Sequence, residues 1–323
     1  MVSELSADNA ADWLAAHGLP STGLRFAELG GGISNKLVLA EGPEFRAVLK
    51  QSLGQLRTRL EWNSDRQRIF REAAAMRWLA GKAGHIPTIL FEDRTSFTIA
   101  MEAAPNGSEM WKTQLFRGVH DPDVAWAAGA ALGAIIRTSW NDRNAELLFG
   151  DQSVFVQLRI DPYYRFTAQN RPEAEEYIEK LIGQSAARRV SLVHGDWSPK
   201  NLLVHGRQVW AIDWEVIHFG DPSFDVGFLL NHLLMKSIAM PQYSEAMKGL
   251  ARSFLGGLDC ELPPDSAWIV RAALEHLPAL LLARVDGKSP AEYLDARMLE
   301  GARSLALNLM VEPAESAEEL FER

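Results

Sequence analysis

Hydrophobic positions follow two different patterns along the chain, and the change falls near residue 105. Before it, short apolar runs are separated by turn residues, which predicts strands at 24–29, 36–40, 45–51, 88–92 and 96–101. A short helix over 6–17 carries Trp13 and Leu14 and is stopped by Gly18 and Pro20. A second helix is expected after Ser64-Asp65-Arg66-Gln67, read as a capping box, with Ile69, Phe70, Ala73, Met76 and Leu79 on one face and Gly81 at its end. Residues 54–63, with Trp62, read as a polar, mobile connection. The breaker cluster at 102–107 marks a domain boundary.

Beyond the boundary the period is mostly helical. Asp121-Pro122 opens a helix to about Trp140, and its Ala and Gly residues predict close packing against a neighbour. Further helices are expected from Asp221-Pro222 through Met235 and over 242–256, 265–283 and 289–308, the last opened by Ser289-Pro290-Ala291-Glu292. Residues 154–165 combine Arg159, Asp161, Tyr163 and Tyr164 around a proline, which reads as a structural corner with a paired Arg ahead of a substrate-lining segment. Strand, loop, strand, turn, strand is the pattern from Leu192 to Ile212.

Composition narrows the class. The single Cys260 excludes an internal disulfide framework and fits a reducing compartment. The first ten residues lack an apolar core, and apolar stretches fall short of the ~18 residues that span a membrane. A soluble, cytoplasmic protein is the expectation. Net charge is −9, and all of it lies after Ala104, where 21 basic residues face 30 acidic ones. Such a balance argues against a nucleic-acid partner.

The candidate chemistry centres on LVHGDWSPKNLLVHGRQVWAIDWEVIHFGDPSFD. Asp196 and Asn201 have the Asp-x-x-x-x-Asn spacing of a phosphoryl-transfer loop, and Asp213 follows at a strand end. Phosphoryl transfer needs one carboxylate to take the acceptor's proton and oxygen ligands to hold Mg²⁺. Upstream, Gly30-Gly31-Gly32-Ile33-Ser34-Asn35 between two strands can bring backbone amides to phosphates. Lys50 in an Ala-Val-Leu-Lys strand, with Glu72 on the next helix, completes a nucleotide-binding set. Asp225 is expected to tie down the loop or cap a helix.

Together these residues resemble the aminoglycoside phosphotransferase/choline kinase superfamily from Gly30 to about Leu307, most specifically in HGDWSPKN and IDWE. Within it, GGGISNKLVL, VLKQS, the Trp62 segment, LRIDPYYR and ARVDGKSPAEYL look like methylthioribose kinase-like proteins. The resemblance implies an α+β, bilobal protein-kinase-like fold, with a small antiparallel-sheet lobe over 1–104 and a larger, mostly helical lobe over 105–323. It implies ATP and Mg²⁺ as cofactors. Asp196 would be the base, Asn201 and Asp213 the metal ligands, and Lys50 the phosphate ligand oriented by Glu72. Gly30, Gly31, Gly32, Ser34 and Asn35 would cover phosphates, while Met101, Glu102 and Ala104 would hold adenine. Glu215 and Arg284 are the substrate candidates, since the adjacent pair Arg188-Arg189 precedes the catalytic strand. Asn201 itself departs from methylthioribose kinases, which commonly lose that asparagine. The expected substrate is a small-molecule hydroxyl compound, a sugar such as methylthioribose. An aminoglycoside, choline or homoserine-like amino alcohol, or a non-catalytic nucleotide-binding role, stays open, with acidic residues Glu315, Glu318, Glu319 and Glu322 bearing on the first. A homodimer also stays open.

Overall fold

The computed structural model describes residues 4–30, 34–56 and 62–323. The chain forms two compact units, Met1–Ala80 with Ile86–Asn106, and Gly81–His85 with Gly107–Arg323. In the first, α1 (Ala10–Ala16) precedes β1 (Arg25–Glu28), β2 (Asn35–Glu41), β3 (Arg46–Ser52), α2 (Arg68–Leu79), β4 (Ile89–Asp93) and β5 (Thr98–Glu102). The strands form one antiparallel sheet in the order β1-β2-β3-β5-β4. Alternation decides which face is buried: Val38, Ala40 and Leu49 point to the side that α1 covers with Ala10 and Leu14. Gly81, at φ +70°, ends α2 in the left-handed region that a helix C-terminus favours.

The second unit begins with β6 (Glu109–Met110), α3 (Trp111–Phe116), α4 (Pro122–Ser139), α5 (Arg143–Phe149) and the single turn α6 (Ser153–Phe155). A π-helix over Val156–Arg165 runs into α7 (Phe166–Asn170) and α8 (Glu175–Ala187). Then come β7 (Ser191–Val193), β8 (Leu202–His205), β9 (Gln208–Ala211) and β10 (His218–Gly220). The unit closes with α9 (Ser223–Ala239), α10 (Ser244–Asp259), α11 (Trp268–Asp286), α12 (Ala296–Val311) and α13 (Ala317–Glu322). Two small antiparallel sheets, β7-β10 and β6-β8-β9, carry the loop around Asp196 on a helical base.

The small residues of α4 allow it to lie against α10. A Cβ on Gly129 would fall 1.9 Å from Phe254 O, and one on Gly257 would fall 2.0 Å from Trp126 O. Asp121 caps α4, accepting from the Asp123 amide at 2.9 Å.

Three local expectations are corrected. Ser64 does not cap α2; Asp65 Oδ1 accepts from the Gln67 amide instead, and the helix starts at Arg68. Ser289-Pro290 opens no helix, because Ser289 Oγ accepts from Arg284 and α12 starts after Asp295, which accepts from the Met298 amide. The segment 154–165 is wound as a helix, with Pro162 accommodated inside the wider π turn. None of the described helices is long and apolar enough to cross a membrane.

Candidate active site

In the first unit β3 and α2 bring two opposite charges together where water is excluded. Lys50 Nζ lies 2.9 and 2.8 Å from the two Glu72 carboxylate oxygens, with side chains 3% and 0% exposed. Glu72 falls on the buried face of α2 with Ile69, Ala73 and Met76, so helix periodicity aims it inward. Arg68, one turn earlier, is buried and donates to the carbonyls of Ser34 and Leu53 at 2.7 and 2.9 Å and of Asp65 at 3.0 Å. It fastens the starts of β2 and α2 to the end of β3. No sequence signal marked it apart from an arginine in an apolar helix face.

Ser34 and Asn35 are buried, and Asn35 Nδ2 donates to Ser34 Oγ at 2.9 Å. Gly30 has open space where a Cβ would stand; Gly31 and Gly32 lie outside the described residues, as do residues 57–61 of the expected mobile connection. The ends of that connection are joined by the Leu56 amide donating to Trp62 O at 2.9 Å. At the end of β5, the Glu102 amide donates to Thr88 O (2.8 Å) and the Ala103 amide to Arg46 O (3.2 Å). The Ala104 carbonyl accepts from the Arg46 guanidinium. Met101 is buried.

The second unit holds the loop from His194 to Asn201 by several independent ties. Gly195 has φ +77°, and a Cβ there would meet Val216 Cγ1 at 2.6 Å, so the turn requires glycine. Asp225, in the first turn of α9, accepts from the His194 amide at 2.6 Å and the Gly195 amide at 2.8 Å. This is the loop-tying role expected for it. Asn201 Nδ2 donates to Asp196 O at 3.0 Å, so its amide oxygen is the atom that could hold a metal ion. His194 Nδ1 accepts from the Asp196 amide at 3.2 Å, while Nε2 lies 3.1 Å from Ile212 O. That pattern places the proton on Nε2, and burial drives the imidazole down to about 4.

Asp196 is buried, and two cations meet the same oxygen. Arg159 Nη2 lies 3.0 Å and Lys200 Nζ 2.9 Å from Oδ2. Arg159 comes from the π-helix, whose wide turn also lets Nε donate to Gly195 O at 2.6 Å and Nη1 to Leu158 O at 2.7 Å. The paired arginine expected at 154–165 is thus paired with the loop itself, a connection that sequence did not indicate. Burial pushes the Asp196 carboxyl up, but Lys200 and then Arg159 outweigh it and hold it below the usual carboxylate range. Asp213, at φ +69°, and buried Glu215 stand close enough for their charges to act on Arg159. Among the described residues no group of three or more His, Cys, Asp or Glu is placed to hold a metal ion. The donor set near Asp196 is one amide oxygen and carboxylates, hard ligands of the kind Mg²⁺ takes in small number beside phosphate oxygens.

Arg284 sits in the last turn of α11, with Nη1 2.8 Å from Ser289 Oγ and 3.4 Å from the Tyr163 hydroxyl. The pair Arg188-Arg189 is engaged elsewhere, Arg188 with Glu275 at 3.2 Å and Asp221 at 3.6 Å, Arg189 with Gly150 O at 2.8 Å. The C-terminal acids pair along the surface of α10 and α13: Glu318 with Arg252 at 3.3 Å, Glu322 with Lys248 and Glu319 with Arg323.

Solved structures share this architecture. Amicoumacin kinase hAmiN, in complex with AMP-PNP, Ca²⁺ and Ami, aligns with a TM-score of 0.60 at 13% identity, covering 92% of this chain and 91% of that one. APH(2″)-IIa in a ternary complex with streptomycin and ATP gives 0.55 at 16% identity, covering 99% of both chains. Choline kinase from Cryptosporidium parvum Iowa II gives 0.56 at 11% identity, covering 98% and 100%. Likeness at these identities shows the protein-kinase-like fold. Among curated proteins no sequence matches. The profile of the APH phosphotransferase enzyme family matches residues 25–257, well over half of the chain. The chain therefore belongs to the APH phosphotransferase enzyme family and has the protein-kinase-like fold of its structural neighbours.

Proposed function

We propose that this protein is an ATP-dependent small-molecule kinase that transfers the γ-phosphoryl group to a substrate hydroxyl. The observation that carries the reading is the buried Asp196 carboxylate, kept ionised by Arg159 and Lys200 on a loop fastened by Asp225. An ionised, immobile carboxylate can orient a hydroxyl and take its proton as the phosphorus–oxygen bond forms. Lys50, oriented by Glu72, binds nucleotide phosphates, and Gly30, Gly31, Gly32, Ser34 and Asn35 are the residues assigned to the same phosphates. Adenine lies along Met101, Glu102 and Ala104. Since the Glu102 and Ala103 amides already donate within the unit, the Ala104 amide is the donor for its edge. Asn201 and Asp213 hold Mg²⁺, which when bound neutralises charge on the transferring phosphates. Residues 1–104 and 105–323 act as the nucleotide-binding and the catalytic lobes. The setting is cytoplasmic.

For the acceptor, the sequence resemblance favours a sugar such as methylthioribose, contacted by Glu215 and Arg284. Neighbours that act on amicoumacin and choline, and one crystallised with streptomycin, favour an amine-bearing alcohol as the second reading. ADP release from Mg-ATP is measured against methylthioribose, other pentoses, hexosamines, aminoglycosides, choline and homoserine. One member should stand out. Asp196→Ala should remove most of that turnover while ATP still binds; a near-normal rate in this variant would sink the assignment of Asp196 as base.

A further inference from the structure

The helical unit contains a group of positive charges that phosphoryl transfer does not use. α9 is apolar along nearly its whole length, yet Lys236 stands in its last turn with 1% of its surface exposed. Its ammonium donates to His232 O at 3.2 Å and lies 5.6 and 5.9 Å from the ring centroids of Phe116 and Tyr293. Those rings meet edge to face, 5.2 Å apart. Phe116 closes α3, whose second residue is Lys112; the Lys112 amide donates to Pro199 O at 2.8 Å, next to Lys200. Arg284 approaches through Tyr163, and its Nε is buried with no hydrogen-bond partner, as is the Tyr293 hydroxyl. Among the described residues, Lys112, Lys236 and Arg284 have no carboxylate within ion-pair distance.

Each charge feels the others. Burial, then Lys112 and Arg284, push the Lys236 ammonium down to about 7. Burial, then Lys236, Arg284, Lys200 and Lys112, push the His232 imidazole well below its usual range. Lys112 is lowered by burial, Lys200 and Arg284, with exposed Glu292 pulling the other way. Gathering like charges and burying one of them opposes folding. The orphaned Arg284 nitrogen can only donate, and so can every cation around it, so an anion satisfies the cluster and a cation does not.

We propose that the acceptor carries an anionic group, a carboxylate or a phosphate, which docks among Lys112, Lys236, Arg284 and Tyr293 while its hydroxyl is presented to Asp196. Lys200 links the two ends: it touches Asp196 at 2.9 Å, and its charge acts on Lys112 and His232. The inference rests on the kinase reading but sets an anionic acceptor against both the neutral sugar and the amine-bearing alcohol considered above. The chemistry is unchanged: the hydroxyl oxygen bonds to the γ-phosphorus, the bond from that phosphorus to the β–γ bridging oxygen breaks, the proton passes to Asp196, and ADP leaves with the electron pair.

The test has two arms. In the first, inorganic phosphate and malonate are titrated by calorimetry into the full chain saturated with Mg-AMP-PNP, so that the nucleotide's phosphate sites are filled. Wild type should bind at least one of them saturably; Lys236→Met and Arg284→Gln should each weaken binding tenfold or more. Tighter malonate binding points to a carboxylate on the acceptor, tighter phosphate binding to a phosphate. Lys236→Met should also raise the melting temperature without anion, which a purely structural lysine would not do. In the second arm, turnover is compared within matched pairs, glycerate with glycerol and ribose 5-phosphate with ribose, beside methylthioribose and choline. An anionic member should exceed its neutral counterpart at least tenfold in kcat/KM. No binding of either anion, unchanged binding in both variants, or a neutral or cationic compound turned over best overturns the proposal. Failure of the kinase reading looks different, with Mg-ATP neither bound nor consumed while anion binding persists.

Discussion

Replacing Arg159 by Met should shift the pH dependence of turnover, not merely slow it. The guanidinium lies 3.0 Å from Asp196 Oδ2, with side chains 9% and 6% exposed. Two unit charges at that distance interact by about 5 kcal/mol at an effective dielectric of ~20, as an upper frame. Neighbouring arginines lower carboxylate pKa values by about 1–3 units. Lys200 meets the same oxygen at 2.9 Å but is 48% exposed, so water screens its hold more than that of buried Arg159. Without Arg159 the acid limb of kcat/KM, which reports the base in the free enzyme, should move up by about 1–2 units. The sign follows from the folded carboxyl lying below its unfolded value. Its stabilisation is present above the unfolded value and lost as pH falls through the depressed folded value; in Arg159→Met the loss should be smaller and complete at higher pH. pH–rate profiles from 4 to 9 read the first effect, and urea unfolding at pH 3 and 7 reads the second. Arg159→Lys should restore part of the limb but not the donation to Gly195 O, since an ammonium lacks the planar fork. Lower rates with an unmoved acid limb would refute the reasoning and reduce Arg159 to a packing residue.

Asp225 is buried, and burial carries its carboxyl up to about 7 despite the two amides that favour its charge. A raised value favours the fold below about pH 4 and loses that contribution as pH rises through 7, so the stability difference between wild type and Asp225→Asn should change by about 2–4 kcal/mol between pH 4 and 8; a constant difference would count against it. Gly129→Ala gains about 1 kcal/mol of helix propensity, yet its Cβ would fall 1.9 Å from Phe254 O, so urea denaturation should show a net loss of about 1–3 kcal/mol. Glu72→Leu should cost about 3–5 kcal/mol by removing the carboxylate that faces the buried Lys50 ammonium, and adding Lys50→Met should recover most of it; a double variant no more stable than the single one would contradict this.

Elements and partners that are close along the chain, or set by a fixed local geometry, are legible in the sequence. Lys50 and Glu72 follow from a strand and the inward face of the next helix, and the loop around Asp196 is read from its own spacing. Asp225 is legible because a strand and a helix start leave it little else to hold. Arg159 is not, because its aim depends on a π turn, and periodicity arguments assume 3.6 residues per turn. Ser289-Pro290 misleads for the opposite reason. Its local chemistry suits a helix start, but Arg284 engages the serine hydroxyl and Asp295 supplies the cap instead. Lys236 stands one residue past the end of the helix expected after Asp221-Pro222, which the structure extends to Ala239, and nothing local to it says that Lys112 and Arg284 will gather nearby.

The acidic balance of the chain gives the wrong impression of its interior. A net charge of −9 invites a cationic substrate, yet many of the acids in the helical unit are already matched. Glu261 pairs with Arg137 at 2.9 Å, Glu275 with Arg188 at 3.2 Å, and Asp286 with both Arg171 and Arg303 at 2.7 and 2.8 Å. The charges of Asp196, Asp213 and Glu215 all act on Arg159, and those of Asp196 and Asp213 also on Lys200. Among the described residues, Lys112, Lys236 and Arg284 have no carboxylate within ion-pair distance. A like-charged group ~6 Å from one of these cations would lose about 3 kcal/mol at an effective dielectric of ~20, or roughly a hundredfold in affinity. An anionic group would gain by the same arithmetic, less the cost of its own dehydration. Surface sums describe solubility and long-range steering, whereas acceptor choice is decided by the few groups left uncompensated where the acceptor lies. On the proposed docking of an anionic group, anionic alcohols come first among the acceptors to be tested, ahead of choline-like and aminoglycoside compounds.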